Sequence, residues 1–127
     1  MFGKETEKLK SFLGAKSEFK GELASDGILR LDGTVTGKIE ADQIILSGTA
    51  VIKGEVIAKK IFVSGNVEGI LRAEDLVEIR SKGKVKGEII TGRFLVLEGG
   101  EFNGRIRMNT TDEEPATVML QPSESYD

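Results

Sequence analysis

The sequence predicts an all-β protein, a solenoid of about six short coils with flexible N- and C-terminal tails, and three observations support this prediction. An apolar–x–Gly–x–apolar pattern occurs six times, from "FKGEL" at residues 19–23 to "FNGRI" at residues 102–106, at intervals of 15 to 18 residues. A second apolar pattern runs in phase between the copies. Within each unit apolar and polar residues alternate, which is the period of a β-strand. Units this short cannot bury an apolar face alone, so they stack and pair coil on coil.

Both patterns predict pairs of inward-facing residues. The first pattern gives Phe19/Leu23, Val35/Ile39, Ile52/Val56, Val67/Leu71, Val85/Ile89 and Phe102/Ile106. The second gives Leu29/Leu31, Ile44/Leu46, Ile61/Val63, Val77/Ile79 and Leu95/Leu97. The glycine inside each first-pattern pair fits a corner with positive φ, where neighbouring backbones approach closely. The polar residues beside the glycines then form exposed ladders, in which Lys53, Glu68 and Lys86 are neighbours of alternating sign.

Composition argues against an enzyme. The chain has no Cys and no His, so zinc, haem and iron–sulfur sites lack their usual ligands, and no Ser-His-Asp or Cys-His system can form. A left-handed β-helix acyltransferase would keep hexapeptide spacing and normally uses a His. The segment "GTVTGK" at residues 33–38 is one residue too short for a phosphate-binding loop, and Ile39 stands where a Ser or Thr would contact Mg²⁺. We therefore expect no cofactor and no nucleotide.

Charge divides the chain into three regions. Residues 19–108 hold 14 basic and 13 acidic groups, whereas residues 109–127 hold five acidic groups and no basic one. The balanced body does not suit nucleic-acid binding. We predict a flexible leader at residues 1–16, a solenoid domain at 17–108 and a disordered acidic tail at 109–127, in which the apolar island 116–122 is a weak candidate docking peptide. The chain has no membrane-spanning stretch and no secretory signal, which favours the cytoplasm.

Residues 17–108 resemble the bactofilins, a family of bacterial cytoskeletal proteins. The resemblance rests on the "FKGEL…LRLDGTVTGKI" opening, the repeated "KGE" turns and the "GEIITGRFLVLEGGEFNGRI" close, together with the "MFGK" start and the polar tail. It implies a right-handed β-helix of triangular cross-section that polymerises without nucleotide through its apolar ends. It also implies a scaffold at the inner face of the cell membrane that organises cell shape or cell-wall proteins.

The open ends of a solenoid expose unpaired backbone groups and core residues, and such edges pair with other chains unless they are capped. We therefore predict a polymerisation interface at the first and last coils, formed by Phe19, Leu23, Leu95, Leu97, Phe102 and Ile106. The alternative is that the aromatic residues only close the ends of the core. A separate alternative for the function is a non-polymerising adaptor that displays docking surfaces for partner proteins.

Two further contact surfaces are predicted. The leader has apolar residues at helical spacing near several lysines, as in an amphipathic helix at a membrane interface, and its first residues match the membrane-contacting start of the family. The predicted membrane contacts are Met1, Phe2, Lys4, Leu9, Phe12 and Leu13. The alternatives are a flexible leader or a cap over the first coil. On the outer face of the solenoid, an exposed apolar patch for lateral contacts is predicted at Ile45, Phe62, Phe94 and Val96.

Overall fold

The computed structural model describes residues 9–14, 16–108 and 117–120. These residues form ten β-strands and no helix, and every strand pairs in parallel within one sheet that winds into a solenoid. The strands are β1 (Leu9–Leu13), β2 (Glu18–Ala24), β3 (Ile28–Leu31), β4 (Thr34–Glu40), β5 (Gln43–Leu46), β6 (Val51–Val63), β7 (Asn66–Ile79), β8 (Lys84–Val96), β9 (Glu101–Met108) and β10 (Thr117–Leu120).

The strands stack in two columns. In the glycine column, β2, β4, the first parts of β6, β7 and β8, and β9 lie on one another with their central glycines in register. In the second column, β1, β3, β5, the second parts of β6, β7 and β8, and β10 stack in the same way. Five coils are complete, from β2 to the end of β8, and β9 begins a sixth. The predicted solenoid is therefore confirmed, with slightly fewer coils than the six expected.

The core is a continuous apolar interior made by the predicted pairs. In the second to fourth coils both members of every pair are buried. At the ends, Phe19, Leu23, Phe102 and Ile106 are only partly buried against this core. Each fully buried Val, Leu or Ile side chain contributes roughly 1.5–3 kcal/mol relative to exposure, so the middle coils anchor the fold.

The central glycine is required by the stacking itself. Gly54 in β6 has a φ of +140°, and a Cβ built on it would overlap the carbonyl oxygen of Gly37 in the coil before. A side chain at this position would therefore meet both backbone strain and a collision with backbone that cannot move aside. The same register joins Gly21, Gly37, Gly54, Gly69, Gly87 and Gly104.

In the fifth coil the second-column register differs from the predicted one. Phe94 pairs with Val77 and is 3% exposed, and Val96 pairs with Ile79 and packs against the core. The predicted inward residues Leu95 and Leu97 are half-buried instead, and Leu95 lies opposite the outward-facing Glu78. A shift of one residue reverses the faces of a strand, so Phe94 and Val96 do not belong to the outer patch.

The cause of this shift is a change in the length of one corner. Two residues, Glu74 and Asp75, separate the paired segments of β7, whereas only Gly92 separates the corresponding segments of β8. The turn that follows β8 has four residues, 97–100, as many as the turn 80–83 that follows β7. The turn after β8 closes with the Gly100 amide donating to the Leu97 carbonyl, so Gly100 rather than Gly99 ends the coil.

Both ends carry a strand that the sequence analysis did not predict. Residues 9–13, expected to be helical, form β1, which pairs with β3 of the first coil. Within the predicted disordered tail, residues 117–120 form β10, which pairs with residues 93–96. The pairing of β1 agrees with the alternative of a cap over the first coil, because it adds a strand below that coil.

Candidate assembly surfaces

The N-terminal surface of the solenoid is formed by β2 with β1 beside it. In the part of the chain that the structure describes, β2 pairs with β4 and has no strand beside its other edge. Phe19 and Leu23 point into this end of the core and are half-buried. An apolar floor bordered by an unpaired strand edge is the arrangement that accepts a further strand.

The C-terminal surface is the counterpart, formed by β9. Among the described residues β9 pairs only with β8, and three of its apolar side chains, Phe102, Ile106 and Met108, are partly buried against the core. The Phe102 ring packs edge-on against Phe94 with centroids 5.6 Å apart at an interplanar angle of 67°. This contact holds the Phe102 ring in place at the end of the core. Met108 continues the alternation of β9 by one step beyond Ile106 and is an addition to the predicted interface residues.

The structure separates the six predicted interface residues into two groups. Phe19 and Leu23 lie at one end of the solenoid, and Phe102 and Ile106 lie at the other. The remaining two are not on a terminal strand. Leu95 lies in β8 opposite Met119 of β10, and Leu97 begins the following turn. Of the second column, β10 rather than β8 forms the C-terminal edge.

An outward row of side chains runs along the second column. Successive strands place Arg30, Ile45, Phe62, Glu78 and Leu95 opposite one another. Ile45, Phe62 and Leu95 are half-buried, so the row has an apolar part, and Leu95 replaces the predicted Phe94 and Val96 in it. The Arg80 guanidinium lies 4.7 Å from the centroid of the Phe62 ring, and its Nε donates to Glu78 at 3.0 Å.

The outer side of the glycine column is polar. The register confirms the predicted ladder, because Lys53, Glu68 and Lys86 occupy neighbouring strands. These residues line an open depression of about 650 Å³. Elsewhere on the surface, ion pairs connect one coil to the next, with Arg72 Nε 2.7 Å from Glu55 Oε2 and Arg93 Nη2 2.9 Å from Asp75 Oδ1. Exposed pairs of this kind contribute at most about 1 kcal/mol each to stability, so they add little to the stacking of the coils.

The N-terminal membrane contacts fall into two sets. Met1, Phe2 and Lys4 lie outside the described residues, whereas Leu9, Phe12 and Leu13 belong to β1. No helix within residues 9–14, 16–108 and 117–120 is long and apolar enough to cross a membrane. Over the same described residues, no three acidic, His or Cys side chains are grouped in a way that could hold a metal ion.

Ten parallel strands that wind into stacked coils place the protein in the class of β-solenoids. Comparison with known proteins places the chain in a family. Residues 11–107 match the model of the bactofilins, described as polymer-forming cytoskeletal proteins. The chain belongs to the bactofilin family.

Two relatives from Myxococcus xanthus (strain DK1622) show how far the similarity extends. Bactofilin BacO is 30% identical over 98 residues, which cover 76% of this chain and 78% of the relative. Bactofilin BacP is 30% identical over 113 residues, which cover 84% of this chain but only 47% of that longer protein. No solved structure matches the chain.

Proposed function

We propose that this protein is a cytoskeletal scaffold whose copies join through their terminal coils into filaments, without nucleotide, at the inner face of the cell membrane. There it organises cell shape or the cell-wall machinery. The observation that carries the proposal is the pair of open ends, where β2 and β9 each leave one strand edge unpaired among the described residues. Membership of a polymer-forming family supports the same reading.

The contact residues follow from the two ends. We assign the interface to Phe19 and Leu23 at the N-terminal end and to Phe102 and Ile106 at the C-terminal end. Their partial burial leaves apolar area that a neighbouring copy can cover, and each unpaired edge can gain backbone hydrogen bonds at the same time. Apolar burial contributes about 25 cal/mol per Å², so the ends gain most from being covered by a similar apolar surface.

The test compares the purified protein with the Phe102→Arg variant by negative-stain electron microscopy, without nucleotide or metal. We expect thin filaments from the first and none from the second, because a charge at the end of the core cannot be buried without a partner. Lys53→Arg, on the polar ladder far from both ends, is the control and should still form filaments. Filaments formed by Phe102→Arg would move the contact away from β9.

The adaptor alternative is supported by the outward row on the second column. Ile45, Phe62 and Leu95 give a solenoid side that a partner protein could cover, with Arg30 and Glu78 bordering it. Under this alternative the protein stays monomeric by light scattering even at high concentration. Filaments that disappear in Phe102→Arg would exclude a purely monomeric adaptor.

A further inference from the structure

The outer side of the second column, here called the second-column side, carries two outward rows of residues. The first row consists of Ile28, Gln43, Lys60, Leu76 and Arg93, and the second of Arg30, Ile45, Phe62, Glu78 and Leu95. Each of the five coils thus supplies one apolar and one polar residue. The five apolar residues are all half-buried. They form a stripe about 19 Å long, because four spacings of roughly 4.8 Å separate the first coil from the fifth.

The charges of the second-column side favour contact with an anionic surface. Its two rows hold three basic residues and one acidic residue, Glu78. Arg80 Nε donates to Glu78 Oε2 at 3.0 Å, so this carboxylate is already neutralised. Lys60 Nζ lies 3.9 Å and Arg93 Nη2 lies 2.9 Å from the carboxylate of Asp75, so one acidic group serves two cations. One positive charge is therefore left over at this pair, and the two basic side chains remain 39% and 46% exposed.

The glycine column offers no comparable surface among the described residues. Its outward rows hold eight basic and seven acidic residues, so their charges almost cancel. Three isoleucines, Ile57, Ile70 and Ile90, occupy successive coils there. Arg72 lies between Ile57 and Ile90 in their row. Its Nε is 2.7 Å from Glu55 Oε2, so an ion pair interrupts this apolar group.

The N-terminal residues lead into the second column. β1 is the first strand of that column, and Leu9 pairs with Ile28 at the start of the first outward row. Residues 1–8 precede β1 in the chain and include the proposed membrane contacts Met1, Phe2 and Lys4. Eight residues span at most about 28 Å, so a lipid surface held by these contacts lies within reach of the stripe.

We propose that the second-column side is the side of the rod that lies on the bilayer, where its apolar stripe and basic side chains contact anionic lipid headgroups. The inference rests on the proposed membrane function and adds to it an orientation of the rod about its long axis. Apolar side chains with basic neighbours are the composition of surfaces that bind in the headgroup region. The N-terminal residues hold the rod at the membrane, and the second-column side adds weaker contacts that repeat along a filament.

Fluorescent labels at two positions test the orientation. The chain has no native Cys, so Gln43→Cys on the second-column side and Thr36→Cys on the glycine column each carry a single label. Both positions lie in the second coil, and both substitutions replace a neutral polar residue. Filaments of each protein are mixed with vesicles of phosphatidylcholine and phosphatidylglycerol that carry a nitroxide quencher on their headgroups. We expect the label of Gln43→Cys to lose most of its fluorescence and the label of Thr36→Cys to keep it.

A pair of substitutions measures how much this side contributes to binding. Ile45→Glu/Leu76→Glu places two acidic groups in the stripe, each next to a basic residue. Two negative charges at an anionic surface should weaken vesicle binding by filaments about tenfold. The matched control Thr36→Glu/Asn66→Glu adds the same charge to the glycine column, again next to lysines, and should bind like the parent protein. Circular dichroism and electron microscopy establish that each variant is folded and forms filaments.

The outcomes separate this inference from the proposed function. On vesicle-bound filaments, an unquenched label of Gln43→Cys would overturn the inference and leave this side to a partner protein. Stronger quenching of Thr36→Cys than of Gln43→Cys would overturn it as well. If the emission of Gln43→Cys changes on filament assembly, before vesicles are added, another copy covers this side and the inference fails.

The affinities give the second comparison. Equal vesicle binding by Ile45→Glu/Leu76→Glu and its control would overturn the inference, and the labels decide the question if this variant forms no filaments. If filaments of the parent protein do not bind the vesicles at all, the membrane part of the proposed function fails and this inference fails with it.

Discussion

Gly54 shows what a single residue must satisfy in a coil of this kind. Its φ of +140° is rare for residues with a side chain, and its Cα faces the carbonyl oxygen of Gly37 without room for a methyl group. Gly21 has nearly the same φ, +139°, but it lies at the N-terminal end, where a Cβ would meet, among the described residues, only the Phe19 ring at 3.5 Å. A side chain at either position would therefore meet the same backbone strain, but only at Gly54 would it also collide with a stacked carbonyl.

This difference predicts unequal effects of the same substitution. Gly54→Ala should lower the free energy of unfolding by about 4 kcal/mol, because strain and overpacking add. Gly21→Ala should lower it by about 1–2 kcal/mol, from strain alone. Chemical denaturation, at a concentration where light scattering shows monomers, measures both values. Equal losses for the two variants would mean that strain alone, rather than the stacked carbonyl, requires the glycine column.

At the scale of elements, the second part of β8 shows how the length of a corner determines which side chains of a strand point inward. Phe94 is buried beside Val77, while Leu95 lies on the outward row. The corner of β8 is one residue shorter than that of β7. The alternation of inward and outward side chains after this corner is therefore shifted by one residue. Two neighbouring apolar residues on one strand thus have opposite surroundings.

The register predicts a large effect at one of these positions and a small one at the next. Phe94→Ala should cost about 3–5 kcal/mol of stability, because it leaves a cavity in the core and removes the ring contact with Phe102. Leu95→Ala should cost less than about 1 kcal/mol, since the outward side chain fills no interior space. Thermal unfolding of both variants measures the two losses of stability. A larger loss for Leu95→Ala than for Phe94→Ala would support the register predicted from the sequence.

Much of this architecture can be predicted from the sequence, and particular residues show which parts cannot. The glycine repeat fixes the stacking, and the pairs of the second to fourth coils are all buried as predicted. The inward residues predicted for the second column of the fifth coil were wrong because Gly99 and Gly100 are consecutive. Counting back two residues at a time from Gly99 selects the outward side of the strand. The end strands β1 and β10 were missed because they stand outside the repeat, where pairing depends on an edge elsewhere in the fold.

At the scale of the whole molecule, an assembled rod repeats every surface feature once per copy. A membrane contact too weak to hold one copy can then hold a filament, because the linked contacts act at high effective concentration. The proposed contacts Met1, Phe2 and Lys4 carry two apolar side chains and one positive charge, which suits such a weak, repeated interaction.

We therefore predict that membrane binding depends on assembly. The protein should bind anionic lipid vesicles on the order of 100-fold more tightly than Phe102→Arg, although both carry the same N-terminal residues. Co-sedimentation with vesicles measures the two affinities. Phe2→Glu/Lys4→Glu is the matched control, which should still form filaments but should no longer bind the vesicles. If Phe102→Arg binds vesicles as tightly as the parent protein, each copy holds the membrane independently of the filament.

The glycine column also determines how the rod responds to bending. From Gly37 to Gly104, a Cβ on the central glycine would overlap the carbonyl oxygen of the preceding coil, so this side of the rod has little room to shorten. Curvature that lengthens this side meets a softer resistance, because backbone hydrogen bonds can stretch slightly before they break. We therefore expect the rod to be stiffer toward one side than toward the other, so that a long filament built from it would have a preferred direction in which to follow a curved surface.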